Sequence, residues 1–103
     1  MDVELKVTNV RKEWTLPFNN LIHHISGNMI CGGRHHYFAI DTTEHPTPFG
    51  VNGGRIFKYR ISYNNGANTL VEYRWNGMKQ VPRNEKDKVY AEAMLNALKE
   101  MFN

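Results

Sequence analysis

The amino-acid sequence predicts an α+β domain, in which a mostly antiparallel sheet of about five to six strands is covered on one face by a C-terminal helix. Polarity alternates with period two along several short segments, which is typical of half-buried strands. Turns rich in glycine and asparagine separate these segments, and the last segment has helical spacing. The length of 103 residues suits a single domain spanning residues 1–103.

The composition excludes a disordered chain, because 41% of the residues are hydrophobic and 12% are aromatic. The formal charge of +3 permits anionic partners without requiring them. A single cysteine, Cys31, excludes an internal disulfide and fits a reducing compartment. Residues 1–14 contain no apolar signal region, and no apolar run approaches the ~20 residues that cross a bilayer. We therefore expect a cytoplasmic protein without a membrane partner.

The first strand is predicted where apolar and polar residues alternate, over residues 3–8. Residues 12–18 either extend this strand or begin another, with Pro17 at a strand edge or end. Residues 20–41 predict two or three further strands, interrupted at Ser26-Gly27 and at Gly32-Gly33.

Gly32-Gly33 is typical of a two-residue hairpin loop between Cys31 and Arg34. This loop would pair Met29 with His36 and Gly27 with Phe38. One face of the hairpin would then carry Met29, Cys31, His36, Phe38 and Ile40. The other face would carry Ile30, His35, Tyr37 and Ala39.

Residues 41–54 lack periodicity and predict a loop, after which two alternating segments flank the turn at residues 64–68. An odd-numbered loop at this turn makes one face wholly apolar, whereas a one-residue slip would mix the faces. The predicted apolar pairs are Phe57 with Trp75, Tyr59 with Tyr73 and Ile61 with Val71. On the polar face Arg60 pairs with Glu72 and Lys58 lies beside Arg74, while Leu70 also alternates onto this face.

The final helix is predicted to begin after Asn84, which can cap it, with Glu85 and Asp87 in the first turn. Apolar residues then recur at helical spacing and should cover the apolar face of the sheet. These residues are Tyr90, Met94, Ala97, Leu98 and Met101.

The glycines before the fourth strand raise the question of a phosphate loop, because Gly53-Gly54 is followed by Arg55. The spacing fits neither the dinucleotide-binding nor the Walker motif, and a strand follows instead of a helix. We interpret Gly53 and Gly54 as positive-φ residues that start the strand. The alternative is a binding loop in which Arg55 and Lys58 contact an anion or an acidic protein surface.

Residues 49–59, FGVNGGRIFKY, followed by Tyr73-Arg74-Trp75, resemble a family of small uncharacterised proteins of phages and mobile elements in Gram-positive bacteria. The matching positions are Gly50, Gly53, Gly54, Arg55, Ile56, Lys58, Tyr73, Arg74 and Trp75, within a likeness that covers residues 28–102. Phe49 and Tyr59 depart from the tyrosine and leucine that are usual there, and no glycine separates Arg74 from Trp75. The resemblance implies the cytoplasm of a bacterial host and a small inhibitor of host defence, with anti-CRISPR proteins as an example.

A zinc site is an alternative hypothesis, because histidines and the cysteine are concentrated in one third of the chain. Cys31 and His36 would be diagonal neighbours on one face of the hairpin, and His45 on the following loop could join them. No standard zinc motif is present, so we predict no cofactor. The competing interpretation makes Cys31 a small buried hydrophobe and His36 a satisfied core histidine.

The function predicted from these features is stoichiometric binding to a host protein, without enzymatic activity. The candidate contact residues are the basic side chains Arg55, Lys58, Arg60 and Arg74. The competing interpretation is a solvated polar face in which Arg60 and Glu72 form an ordinary cross-strand pair. A nucleic-acid-binding module that uses the same basic strip is the alternative function, and the oligomeric state stays open.

Overall fold

The structure is a computed structural model that describes residues 1–15, 20–64 and 67–103. Within these residues, six antiparallel strands form one sheet, and a C-terminal helix packs against it. The predicted α+β class is therefore confirmed. The elements are β1 (Val3–Thr15), β2 (Asn20–Cys31), β3 (Arg34–Thr43), β4 (Ile56–Tyr63), β5 (Thr69–Arg74), β6 (Gly77–Gln80) and α1 (Glu85–Phe102). The predicted position of Pro17 lies outside the described residues.

The β2–β3 hairpin has the predicted loop and register. Gly32 and Gly33 have φ values of 57° and 78°, the left-handed conformation that a tight two-residue hairpin needs. Met29 lies opposite His36, and Gly27 lies opposite Phe38. The buried side of the hairpin also carries the predicted residues, Met29, Cys31, His36, Phe38 and Ile40.

The predicted interruption at Ser26-Gly27 is wrong, because β2 continues through both residues. The irregularity lies in the neighbouring strand instead, where the pairing of β1 shifts between Val7 and Asn9. A Cβ atom on Gly27 would lie 1.9 Å from the carbonyl oxygen of Lys6. Glycine at this position therefore permits a close approach of two backbones and does not end the strand.

The β4–β5 register is confirmed for Tyr59 opposite Tyr73 and Ile61 opposite Val71. The predicted pair of Phe57 with Trp75 is wrong, because the pairing of these strands ends at Lys58 and Arg74. The predicted face is wrong for two side chains in or next to β5, Leu70 and Trp75. Leu70 was expected on the polar face, but it is the extra residue of a bulge and is 1% exposed. Trp75 was expected on the apolar face, but β5 ends at Arg74 and Trp75 is 52% exposed.

A second bulge changes the start of β4. Asp41 pairs with Lys58, whereas Thr42 pairs with Ile56, so Phe57 is the extra residue. Phe57 is buried, but Ile56 takes the place in the core cluster that was expected for Phe57.

The glycines before β4 differ from each other. Gly53 has the expected positive φ of 69°, at the end of a short 3-10 turn over Val51–Gly53. Gly54 has a φ of −93°, so the expected positive φ at this residue is wrong. A glycine is needed at position 54 for lack of space, because a Cβ atom there would collide with the side chain of Asn103.

Helix α1 is capped as predicted, because the Asn84 side chain accepts a hydrogen bond from the Asp87 backbone N–H at 2.8 Å. Met94 and Leu98 are fully buried against the sheet, whereas Met101, expected on the buried face, is 59% exposed. The core lies between α1 and the sheet and is formed mainly by Ile25, Met29, Cys31, Phe38, Ile40, Ile56, Tyr59, Ile61, Leu70, Val71, Ala91, Met94 and Leu98.

A polar cluster fixes the first turns of α1 to the sheet. Asp87 accepts hydrogen bonds from the Tyr63 hydroxyl at 2.6 Å and from Arg34 at 3.1 Å. The guanidinium of Arg34 lies 4.1 Å from the ring centre of Tyr90. The hydrogen bond from Tyr63, followed by the one from Arg34, lowers the pKa of Asp87, and the same carboxylate raises the pKa of Tyr63. Among the described residues, no helix is long and apolar enough to cross a membrane.

Candidate functional site

Three of the four predicted contact residues lie together on the sheet face opposite α1, which we call the open face. Tyr59 and Ile61 point into the core, so Lys58 and Arg60 between and beside them point to the open face. Arg74, the third cation, is the register partner of Lys58 and therefore lies at the same end of the sheet.

The fourth predicted contact residue, Arg55, has a local structural contact. It precedes β4 and is half-buried, and its Nε donates a hydrogen bond to the carbonyl oxygen of Thr43 at 2.8 Å. This bond holds the end of β3 against the start of β4. The guanidinium of Arg55 therefore has a structural contact that braces the loop before β4.

A charged row crosses the open face from β1 to β5, and we define it by the successive register partners Arg11, His24, Asp41, Lys58 and Arg74. His24 Nδ1 lies 2.6 Å from Asp41 Oδ1, and His24 Nε2 lies 3.1 Å from Glu13 Oε2. Lys58 Nζ lies 4.0 Å from the other carboxylate oxygen of Asp41. Carboxylates only accept, so His24 makes both hydrogen bonds only when both ring nitrogens carry a proton.

Sequence reasoning misses the pair His24 and Asp41, because the lack of periodicity places the start of the loop at Asp41. The predicted register of the β2–β3 hairpin already implies this pair. Extending the predicted pairing of Met29 with His36 along both strands sets His24 opposite Asp41, as the structure shows.

Lys58 and Arg74 stand farther out than the carboxylates they contact, whereas Glu13, the partner of His24, is itself 54% exposed. The Lys58 side chain is 43% exposed and Asp41 is 18% exposed; Arg74 is 51% exposed and Glu72 is 18% exposed. Asp41 and Glu72 hold Lys58 and Arg74 in place, so a molecule that approaches this end of the face meets these two cations first.

Arg60 and Glu72 are opposite each other as predicted, but their side chains have other partners. Arg60 Nε donates to the Thr69 hydroxyl at 2.8 Å, and Glu72 accepts from Arg74 Nε at 3.1 Å. In the described part of the chain, the expected cross-strand ion pair between Arg60 and Glu72 is thus replaced by these contacts.

Shallow hollows extend the open face over the first three strands. One, of about 410 Å³, is lined by residues that include Lys6, Asn28, Ile30, His35 and Tyr37. Another, of about 460 Å³, is lined by residues that include Asn9, Arg11, His24, Ser26 and Asp41. The face is therefore a broad, uneven polar surface, with the Tyr37 ring exposed on it.

The residues of the zinc hypothesis lie in different environments. The Cys31 thiol is fully buried and donates to Met1 Sδ at 3.1 Å, and burial raises its pKa. His36 is buried and its Nδ1 donates to the Ser62 carbonyl at 3.0 Å, while burial lowers the pKa of its imidazole. His45 is exposed on the loop after β3. Over residues 1–15, 20–64 and 67–103, no group of three histidine, cysteine or acidic side chains is arranged to hold a metal.

No protein-family model, curated protein or solved structure matches the chain. The geometry of the open face is the basis of the function proposed next.

Proposed function

We propose that this chain is a stoichiometric protein-binding module that contacts its partner through Lys58, Arg60 and Arg74 on the open face. The observation that carries the proposal is the outward position of Lys58 and Arg74 over recessed carboxylates. Arginines on a pre-formed surface are frequent anchors of protein interfaces. Lys58 and Arg60 lie on β4, which is paired with β3 on one side and β5 on the other, so little backbone order has to be gained on binding.

A protein partner suits this face better than a nucleic acid does. Glu13, Asp41 and Glu72 are interleaved with the cations, and each would repel a phosphate that came near. A protein surface can offer both signs of charge and so can match such a mixed pattern. Nucleic-acid binding is supported only by the cations and by the exposed ring of Tyr37.

The ion pairs that Lys58 and Arg74 make in the free protein are weak enough to be replaced by ion pairs with a partner. An exposed ion pair stabilises a fold by about 1 kcal/mol or less. Lys58 and Arg74 can therefore leave Asp41 and Glu72 for carboxylates of a partner without a large loss of stability.

The identity of the partner is proposed from the resemblance of residues 49–59 to small phage proteins. On that basis the partner is a bacterial host protein, and binding blocks a defence enzyme such as a CRISPR effector nuclease. The protein would work in the host cytoplasm, without catalysis of its own.

Charge reversal with a matched control tests the proposal. The variant Lys58→Glu/Arg74→Glu is compared with Lys86→Glu/Lys88→Glu, which makes the same change of net charge at exposed residues of α1. Wild type and both variants are immobilised and used to capture proteins from a Gram-positive host lysate, and the retained protein is purified for calorimetry. We expect a partner that binds wild type and the α1 variant but loses at least about tenfold in affinity for the open-face variant.

Equal retention by all three proteins would contradict the open-face site. The nucleic-acid alternative is separated by fluorescence anisotropy with labelled single- and double-stranded DNA at about 50 mM salt, where phosphate contacts are strongest. Saturable binding that weakens steeply as salt is raised would replace the proposed function with nucleic-acid binding.

A further inference from the structure

We propose that Phe49 and Trp75 form a docking point for an apolar side chain, and that the segment which binds there also carries a carboxylate for Lys58 and Arg74. The occupant is a short acidic and apolar segment of a partner protein. This inference rests on the proposed function for the role of Lys58 and Arg74. It adds an apolar contact, made by Phe49 and Trp75, to the ionic ones.

The aromatic pair is the first observation. The rings of Phe49 and Trp75 lie 6.0 Å apart, centre to centre, at 77°, an edge-to-face contact. Phe49 is 48% exposed and Trp75 is 52% exposed, so together they leave on the order of 200 Å² of ring surface in water. Tryptophan is among the residues most enriched at the energetic centres of interfaces.

The second observation is that the backbone holds Phe49 in place. Thr47 N–H donates to the Gly54 carbonyl at 3.0 Å, and Gly50 N–H donates to the Thr47 carbonyl at 2.9 Å. The loop is also fixed to the residue after α1, because Asn103 Nδ2 donates to the Val51 carbonyl at 3.0 Å. An aromatic pair on a braced loop loses little conformational entropy when a ligand binds.

The third observation is the charge at this end of the sheet. Lys58 lies near the start of β4, and Arg74 ends β5 immediately before Trp75. They are register partners, and both remain about half exposed above the carboxylates of Asp41 and Glu72 that they contact. A partner's carboxylate placed between the two exposed cations would interact with both, so the site complements an acidic group beside an apolar one.

Peptide selection tests the inference directly. A library of short random peptides displayed on particles is selected against the full chain, and an enriched peptide is then synthesised. We expect enrichment of sequences that join Asp or Glu to a large apolar residue. Binding is followed by tryptophan emission in the Trp14→Phe variant, in which Trp75 is the remaining tryptophan of the two in the sequence.

Trp14 provides the matched control, because it is 62% exposed and lies on β1, away from the aromatic pair. We expect Trp14→Phe to bind the peptide like wild type by calorimetry. Trp75→Ala and Phe49→Ala should each weaken binding at least about tenfold, the loss typical of an interface anchor. Lys58→Glu/Arg74→Glu should remove the preference for acidic peptides. Melting curves of every variant check that the fold is retained.

An absence of enriched peptides, enrichment without both acidic and apolar residues, or equal affinity for Trp75→Ala would overturn the inference. The two proposals can fail separately. If the captured host protein is lost with the charge-reversal variant but not with Trp75→Ala, the proposed function stands and the aromatic docking point is wrong. If peptide binding needs Trp75 while no host protein depends on the open-face cations, the aromatic docking point stands and the proposed function is wrong.

Discussion

The Asn103 side chain occupies the space that Gly54 leaves by having no side chain. A Cβ on Gly54 would lie 2.2 Å from Asn103 Oδ1. That oxygen accepts a hydrogen bond from the Ile56 N–H at 3.0 Å, while Asn103 Nδ2 donates to the Val51 carbonyl at 3.0 Å. The residue after α1 thereby connects the loop before β4 to the first residue of that strand.

Gly54→Ala should therefore act by displacing Asn103. We expect it to lower the free energy of unfolding by about 1–3 kcal/mol, the effect of losing two partly buried hydrogen bonds. Asn103→Ala should have a similar effect, and the double variant should be little worse than either single one, because both remove the same contacts. Denaturant unfolding of all three proteins measures this.

Gly53→Asn is the control for the Gly54 prediction. Gly53 has a positive φ, which asparagine tolerates, and a Cβ there meets nothing within 4 Å. This variant should change stability by only a few tenths of a kcal/mol. Strict additivity of Gly54→Ala and Asn103→Ala would show that they act through different contacts.

Asp87 should make the protein sensitive to acid. Its pKa is lowered in the folded state, first by the hydrogen bond from Tyr63 and then by Arg34. The unfolded chain therefore binds the proton more tightly. The contribution of Asp87 is fully present above the ordinary carboxyl pKa of about 4 and is lost as the pH falls through the lowered folded value.

Tyr63→Phe should make this acid-induced loss shallower, because it removes the largest cause of the lowered pKa. At neutral pH it should also lower stability by about 1 kcal/mol, the net value of one hydrogen bond. Urea unfolding from pH 7 downward measures both effects. Tyr37→Phe is the control, since Tyr37 is exposed on the open face. An unchanged pH profile in Tyr63→Phe would contradict the assigned role.

His36 should produce a separate loss of stability at mildly acidic pH. Burial lowers the pKa of its imidazole in the folded protein, so the unfolded chain takes up the proton first. The contribution is complete above the ordinary histidine pKa of about 6.5 and is lost as the pH falls through the lowered folded value. A single group limits the slope to about 1.4 kcal/mol per pH unit.

His36→Asn tests this assignment, because its amide can still donate to the Ser62 carbonyl but does not titrate. The variant should be less sensitive than wild type between about pH 7 and pH 5. His35→Asn changes the neighbouring exposed histidine and should retain the wild-type profile. The hypothesis fails if both variants behave alike.

Zinc should leave the melting temperature unchanged, because Cys31 Sγ and His36 Nδ1 already have internal partners and His45 is exposed on the loop after β3. The other ring nitrogen of His36, Nε2, is buried without a partner, but a single ligand does not make a zinc site. A ligand at about 100 times its Kd would stabilise the folded state by about 2.7 kcal/mol, which a melting curve detects easily. A zinc-dependent rise that His45→Ala abolishes would establish the zinc hypothesis.

The sequence predicts much of the sheet, because side-chain alternation and glycine turns are local properties. Gly32-Gly33 fixes the register of β2 with β3, and the apolar face of β4 fixes its register with β5. Alternation likewise places Lys58 and Arg74 on the open face. Bulges do not follow from alternation, so the burial of Leu70 and the burial of Ile56 beside Phe57 were not predicted.

The aromatic pair could not be predicted from the sequence. Phe49 lies in a loop without periodicity, and Trp75 lies one residue beyond the end of β5. Their contact joins segments that no pattern relates, and it depends on how the loop is braced by Asn103. Several of the loop hydrogen bonds join two backbone groups, which carry no sequence signal.

The order of strands across the sheet is the order in which the ribosome makes them. Each new strand can pair with the preceding strand within microseconds, whereas the ribosome adds only about 5–20 residues per second. Helix α1, which covers the apolar face of the sheet, is synthesised after β6. A nascent chain stalled before residue 85 would thus expose Met29, Ile40 and Ile61 to water, where chaperones could bind them or other chains could aggregate with them.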